Sequence, residues 1–239
     1  MNLAVETRLV GDVGIVRCTG RIVEGGEADR LRGALDELID EAPFIVLNLS
    51  SVDFIDSSGV GLLVRYLHKT ESARGGIKLC GVPARIREAL AVTHLAKLFE
   101  MYDAEEEAIA AFCRARPATA LPYEYVPDIL CVASSPDVLA YVRELVGQSG
   151  YGVVSASNVP DALTLLKATQ PKVVVMTADV RNGPRTPTAE KFHQLAANIA
   201  VVELPADFST HDAADAARHL LERIRTVVTT PHAARHADS

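Results

Sequence analysis

The chain has no tryptophan, and aromatic side chains make up only 5% of its 239 residues. Any interior must therefore be built from aliphatic side chains. A basic surplus is also missing: the net charge is −7 and neither half carries a basic cluster, which excludes nucleic acid and anionic membrane as principal partners. No apolar run approaches the roughly 18 residues of a membrane span. The opening MNLAVETRLV lacks the basic start and apolar stretch of a secretory signal. The expectation is a soluble, cytoplasmic protein.

Cysteines are few and far apart. Cys18, Cys80, Cys113 and Cys131 show none of the close pairing of a zinc site or redox dithiol; Cys18, Cys80 and Cys131 fall inside apolar, strand-like runs and read as buried thiols. Histidine clusters are lacking too. His193, His219 and the pair His211-Asp212 stand without matching ligands and read as surface residues. No metal, cofactor or catalytic activity is expected.

What is present is a 49% share of hydrophobic residues, ample for buried cores, in a length that suits one large or two small domains. Asn2 to Val10 and Val13 to Thr19 are β-rich runs separated by the turn Gly11-Asp12. Leu31, Leu35, Leu38 and Ala42 recur at helical spacing, and Pro43 ends that helix. Phe44 to Leu49 reads as a buried strand. A helix follows at Ser58, with Val60, Leu63, Val64 and Leu67 on one face. Ile77 to Gly81 and Leu98 to Tyr102 are short strands, Pro83 to Leu90 a short helix, and Ala104 to Phe112 an acidic helix whose Glu105-Glu106-Glu107 reads as a wetted edge, Glu105 also suiting its first turn.

Residues 114–127, RARPATALPYEYVP, hold three prolines and no periodicity, the composition of an exposed linker. A second unit then begins. Strands are expected over 128–132, 151–156, 172–176 and 199–204, with helices opened by Ser135-Pro136 and at Pro160. A final helix carries Ala213, Ala217, Leu220, Ile224 and Val227. Residues 231–239 read as a frayed tail. The expected class is α/β in both units, the first built on a mixed sheet with helices (1–113), the second doubly wound but truncated (128–230).

The segment Asn48 to Gly61, NLSSVDFIDSSGVG, carries the chemistry. A buried strand enters a short polar loop and then a helix that starts with small residues. Asp56 or Ser57 can cap that helix through a side-chain oxygen, and Gly59 and Gly61 allow close approach of another backbone. Ser58 then sits at the positive end of a helix, on the surface, where a phosphate is favoured by the dipole and free amides. Phosphorylation would add about −1.5 to −2 charges beside Asp53 and Asp56. A partner docked flat on the loop would then meet repulsion and a desolvation cost.

This segment resembles the signature of the STAS domain in the form found in anti-sigma factor antagonists, and the element order over roughly residues 1–113 is similar to that family. The resemblance implies that Ser58, preceded by Asp56 and Ser57 and followed by Gly59, Val60 and Gly61, is the phosphoacceptor, with Ser57 as fallback. It implies as partner an anti-sigma factor that is also a GHKL-type serine kinase, bound while Ser58 is unphosphorylated, and a serine phosphatase that reverses the mark. The partner-binding set it implies is Asp53, Asp56, Ser57, Ser58, Gly59, Val60, Gly61 and Glu24. One departure stands out: where many members have an acidic residue in a Gly-x-Leu-Asp pattern, this chain reads Gly20-Arg21-Ile22-Val23-Glu24, with Val23 at that place and Glu24 next to it.

The second unit resembles a response-regulator receiver, a flavodoxin-like fold, in element order. Its motifs depart from that family. The first strand ends Val132-Ala133-Ser134-Ser135 without the magnesium-binding carboxylates, and Thr177 stands where the phosphoaccepting aspartate belongs, Asp179 falling two residues later in a loop. A fourth helix, a fifth strand and the usual lysine are expected to be missing or shortened. A degenerate receiver-like unit of this kind suits self-association or docking onto a regulator. Two other roles are open to such a chain, a scaffold in a stress-signalling assembly and a two-component response regulator; the missing acidic pair argues against the second. A lipid-transport subunit fits less well, since such STAS proteins commonly stand alone.

Overall fold

The glycine at the first hairpin and the proline after the first helix set the opening boundaries of the fold. The computed structural model describes residues 2–115, 128–204 and 213–229. Apart from residues 114 and 115, the expected linker 114–127 lies outside them, as do His211-Asp212 and the tail 231–239. The chain divides into two units, Met1–Phe112 and Cys113–Ser239.

In the first unit, β1 (Ala4–Val10) turns at Gly11, whose φ of 62° suits glycine, into antiparallel β2 (Val13–Ile22). Helix α1 (Gly26–Glu41) buries Leu31, Leu35, Leu38 and Ile39 along one stripe. After Pro43 come β3 (Phe44–Ile55), α2 (Ser57–Ser72) and β4 (Gly76–Cys80). Helix α3 (Ala84–Val92), a 3₁₀ turn (Leu95–Leu98), β5 (Glu100–Tyr102) and α4 (Glu105–Ala115) complete the unit. The sheet order is β1-β2-β3-β4-β5, with β1 antiparallel and every other neighbouring pair parallel. This is the mixed sheet expected.

Strand alternation divides the two faces. Ile45, Leu47 and Leu49 of β3 and Val16 and Cys18 of β2 share a core with Leu31 and Leu35 of α1 and Leu63, Tyr66 and Leu67 of α2. On the opposite face, Phe44 meets Phe112 of α4 at 5.3 Å between ring centroids. There Asn48 donates to Glu105 Oε1 at 2.6 Å, and Arg8 and Arg17 each pair with Glu105 at 2.8 Å. The expectation of a wetted acidic edge is thus corrected for Glu105, whose side chain is 11% exposed. It fastens α4 to β1, β2 and β3. Burial pushes the thiols of Cys18, Cys80 and Cys131 up to about 12, as the apolar context implied.

Two strands run further than their hydrophobicity suggests. β2 continues past Thr19 to Ile22, and β3 past Leu49 to Ile55, so most of the expected polar loop is strand. The reason is mutual pairing: Ser51 lies opposite Thr19, Phe54 opposite Arg21 and Ile55 opposite Ile22, through register shifts that accommodate the extension. Pairing of β3 with β4 stops at Asn48. The end of the sheet that leads to Ser58 is therefore carried by β2 and β3.

The second unit contains β6 (Ile129–Val132), α5 (Pro136–Gln148), β7 (Val153–Ala156), α6 (Val159–Thr169) and β8 (Val173–Thr177). Then follow α7 (Ala178–Arg181), α8 (Pro187–Ala196), β9 (Ala200–Leu204) and α9 (Ala213–Thr229). The described strands are all parallel, in the order β7-β6-β8-β9, which is a doubly wound arrangement. Ile129, Cys131, Val173 and Val175 pack with Val142 and Val146 of α5 and Leu220 and Ile224 of α9. The alternate residues Leu130, Val132, Val174 and Met176 are buried as well, as parallel strands covered on both faces require. The stretch between β8 and β9 holds two helices that the sequence reading leaves unassigned. Asp179, expected in a loop, lies in the first turn of α7.

Candidate functional site

The strand β3 delivers the chain to the site. Val52 and Ile55 are buried, while Asp53 and Phe54 between them are exposed. Asp56 then leaves the strand in an extended conformation, its N–H donating to Ile22 O at 3.1 Å. Its carboxylate caps α2, Oδ1 accepting from the Gly59 N–H at 2.8 Å. The other oxygen, Oδ2, accepts from the backbone N–H of Glu24 at 2.9 Å. One side chain thereby ties the entrance of α2 to the segment preceding α1. Partial burial works against the charge of Asp56, but the N–H donors of Gly59, Glu24 and Ser58 prevail and hold its carboxyl below the usual range.

Gly59 is where α2 touches the sheet. A Cβ there would come within 2.7 Å of the Ile22 carbonyl oxygen and of Ile55 Cγ1, so only glycine lets the helix begin this close. Val60 is 6% exposed and belongs to the core. Gly59 and Val60, both in the partner-binding set drawn from sequence, are buried and shape the site from below. Ser57, Ser58 and Gly61 face solvent, Ser58 sitting in the first turn of α2.

Beside Ser58 lies a groove of about 480 Å³ between α1 and α2. Ser58, Gly61 and Arg65 line it from α2, Asp29 and Arg32 from α1, and Glu24 from the segment before α1. Glu24 is thus brought to the same groove as Ser58. Asp53 does not line it. Sequence reasoning describes the surroundings of Ser58 as acidic; the structure corrects this by adding two arginines. Arg32 pairs with Asp29 at 2.7 Å, while its Nε is buried without a hydrogen-bond partner among the described residues. The groove is held in shape by Asp36 of α1, which accepts from Tyr66 Oη at 2.7 Å and Lys69 Nζ at 2.5 Å, both on α2.

Sequence reasoning also passes over Phe54, which is 44% exposed, with the Arg21 guanidinium 5.2 Å from its ring centroid. The cross-strand pairing of Arg21 and Phe54 depends on the strand extension, which hydrophobicity alone conceals.

In the second unit, Thr177 ends β8 and Ser134 follows β6. The Ser134 hydroxyl donates to Asp179 Oδ2 at 2.6 Å, and this bond holds the Asp179 carboxyl below the usual range. His193 packs its ring against Phe192, and His219 is exposed. Among the described residues no group of three or more His, Cys, Asp or Glu is placed to hold a metal ion, and no helix is long and apolar enough to cross a membrane.

Residues 4–108 match the STAS domain family. Over 111 residues the chain is 31% identical to the anti-sigma F factor antagonist of Paenibacillus polymyxa, an alignment that covers 46% of this chain and 94% of that protein. Among solved structures, the anti-sigma factor antagonist SpoIIAA in its unphosphorylated form is 25% identical with a TM-score of 0.41, over 45% of this chain and 95% of that one. An anti-sigma factor antagonist from Mycobacterium paratuberculosis is 24% identical with a TM-score of 0.41, over 46% of this chain and 94% of that one.

Proposed function

The chain belongs to the STAS-domain family of anti-sigma factor antagonists, and from that premise we propose that it is a binding protein switched by phosphorylation of Ser58. With Ser58 unmodified, the surface formed by the tip of β3, the start of α2 and Glu24 binds an anti-sigma factor that is itself a GHKL-type serine kinase, and binding frees the sigma factor. The kinase moves the γ-phosphoryl group of ATP to Ser58 Oγ. The hydroxyl proton passes to a base on the kinase, and ADP leaves. The added charge of about −1.5 to −2 breaks the contact, and a serine phosphatase restores it.

The observation that carries this reading is the exposure of Ser58 in the first turn of a well-capped helix. The hydroxyl is accessible to an external enzyme, and the cap tolerates an anion nearby without unwinding. Within this reading the partner touches Ser57, Ser58, Gly61, Glu24 and the exposed Asp53, and Phe54 adds an aromatic anchor at the rim. The decisive experiment is affinity capture from a lysate of the native host with wild type, Ser58→Ala and Ser58→Asp. The expected result is that the alanine form retains a kinase-like partner and the aspartate form loses it. Equal recovery by both sinks the switch.

For residues 128–230 we read a receiver-like unit without phosphoryl chemistry, supported by the strand order β7-β6-β8-β9 and by Asp179, just past the end of β8, being already engaged by Ser134. Its role in this reading is association, with a second copy or with a regulator.

A further inference from the structure

The groove beside Ser58 contains a cation that no hydrogen bond or ion pair fixes among the described residues, although its charge helps to lower the neighbouring Asp36 carboxyl. Arg65 is exposed and has no hydrogen-bond or ion-pair partner among the described residues. It lies seven positions after Ser58 on the same helix, hence two turns on and on the same face, about 10 Å along the axis. Helical side chains lean toward the N-terminus, which directs Arg65 back along the groove toward Ser58. Gly61, between them, has nothing within 4 Å of the position a Cβ would take, so the path is open. From the facing helix, Arg32 contributes a guanidinium whose Nη1 is bound by Asp29 and whose buried Nε has no partner.

We propose that the α1–α2 groove is an internal receptor for the phosphoryl group of phosphorylated Ser58, with Arg65 as its main cation and Arg32 as the second. The proposal rests on the phospho-switch reading and deepens it. An exposed phosphate would act by repulsion alone. A phosphate drawn into the groove also fills a cavity open to the partner and occupies the arginines that an acidic partner group would otherwise engage. Glu24 and Asp29, the acids on the same groove, oppose this closure, and the Asp29–Arg32 pair gives up part of its bond when the phosphate arrives. The ligand recognised is a phosphate monoester, whose oxygens suit the guanidinium fork.

The test uses the full chain with phosphoserine installed at position 58 during translation, so that no kinase is required. A ³¹P NMR titration at 0.1 M salt compares it with a phosphoserine peptide spanning residues 54–62. In the folded chain the second phosphate ionisation is expected at least half a pH unit lower than in the peptide. Arg65→Ala should recover most of that difference, Arg32→Ala a smaller part, and Arg65→Lys less than Arg65→Ala. Two outcomes overturn the proposal: a titration like that of the peptide, or a lowered one that neither alanine substitution changes, which would assign the effect to the helix dipole alone. Arg65 is exposed, so its variants are expected to fold, and amide spectra of each verify this. A lowered, arginine-dependent titration together with equal capture by Ser58→Ala and Ser58→Asp would remove the switch and keep the receptor.

Discussion

Asp56 Oδ2 and the Glu24 backbone N–H, 2.9 Å apart, join two segments that are 32 positions apart in sequence, while the other oxygen of the same carboxylate caps α2. The geometry around Ser58 therefore depends on the charge state of one side chain. Because the folded-state pKa of Asp56 is depressed, its stabilisation is complete above the ordinary carboxylate range and is lost as pH falls through the folded-state value. Asp56→Ala should cost about 1–2 kcal/mol at pH 7. Asp56→Asn, which keeps a capping oxygen, should cost less and should reduce the loss of stability between pH 7 and about pH 3, below the ordinary carboxylate value. Urea unfolding at the two pH values measures both effects.

Glu105 should behave as a fastener. Burial opposes its charge, yet the bonds from Arg17, Asn48 and Arg8 together hold its carboxyl below the usual range. By the same sign argument, its contribution is present at neutral pH and disappears in acid. Since both arginines remain partly exposed, Glu105→Ala should cost about 2 kcal/mol rather than the larger penalty of a fully buried pair. A double-mutant cycle with Asn48→Ala should return a coupling of about 1 kcal/mol, read by denaturant unfolding.

The two glycines after Ser58 should answer oppositely to alanine. At Gly59 the added methyl collides with the Ile22 carbonyl oxygen, and the shift it forces should cost about 2–3 kcal/mol. At Gly61 the space is open, and Gly61→Ala should stabilise the helix by about 0.5–1 kcal/mol. Thermal unfolding of the two variants distinguishes a packing glycine from one that keeps a groove clear.

On the reading proposed above, the second unit should take no phosphoryl group. Acetyl phosphate with magnesium, followed by intact mass measurement, should leave the mass of the chain unchanged. A gain of one phosphoryl group that is abolished by Asp179→Asn would overturn the reading of that unit.

The elements of the first unit are legible because each has a strong local signal: alternation or continuous apolar runs in the strands, Leu31, Leu35 and Leu38 in α1, and an Asp-Ser-Ser-Gly cap at α2. The extension of β2 and β3 is hidden because Ser50, Ser51 and Asp53 are polar, and the strand exists there through pairing between distant segments. Helix α8 had a signal, Thr186-Pro187, where the threonine caps the helix by accepting from the Ala189 N–H, as Ser135-Pro136 signals α5. At the site, the sequence places Ser58 at the start of α2 and offers Asp56 or Ser57 as its cap, of which the structure uses Asp56. The sequence leaves out Arg32 and Arg65 because helical spacing places Arg65 near Ser58 only once the facing α1 defines a groove. The role of Glu105 is hidden for a related reason: its partners lie on three strands, and only the parallel register of β2 and β3 brings Asn48 beside Arg17.

The projection of β2 and β3 beyond the reach of β4 separates two kinds of position. Residues in the five-strand body are held by the core, whereas Arg21, Asp53 and Phe54 at the tip are exposed and can be exchanged at little cost to folding.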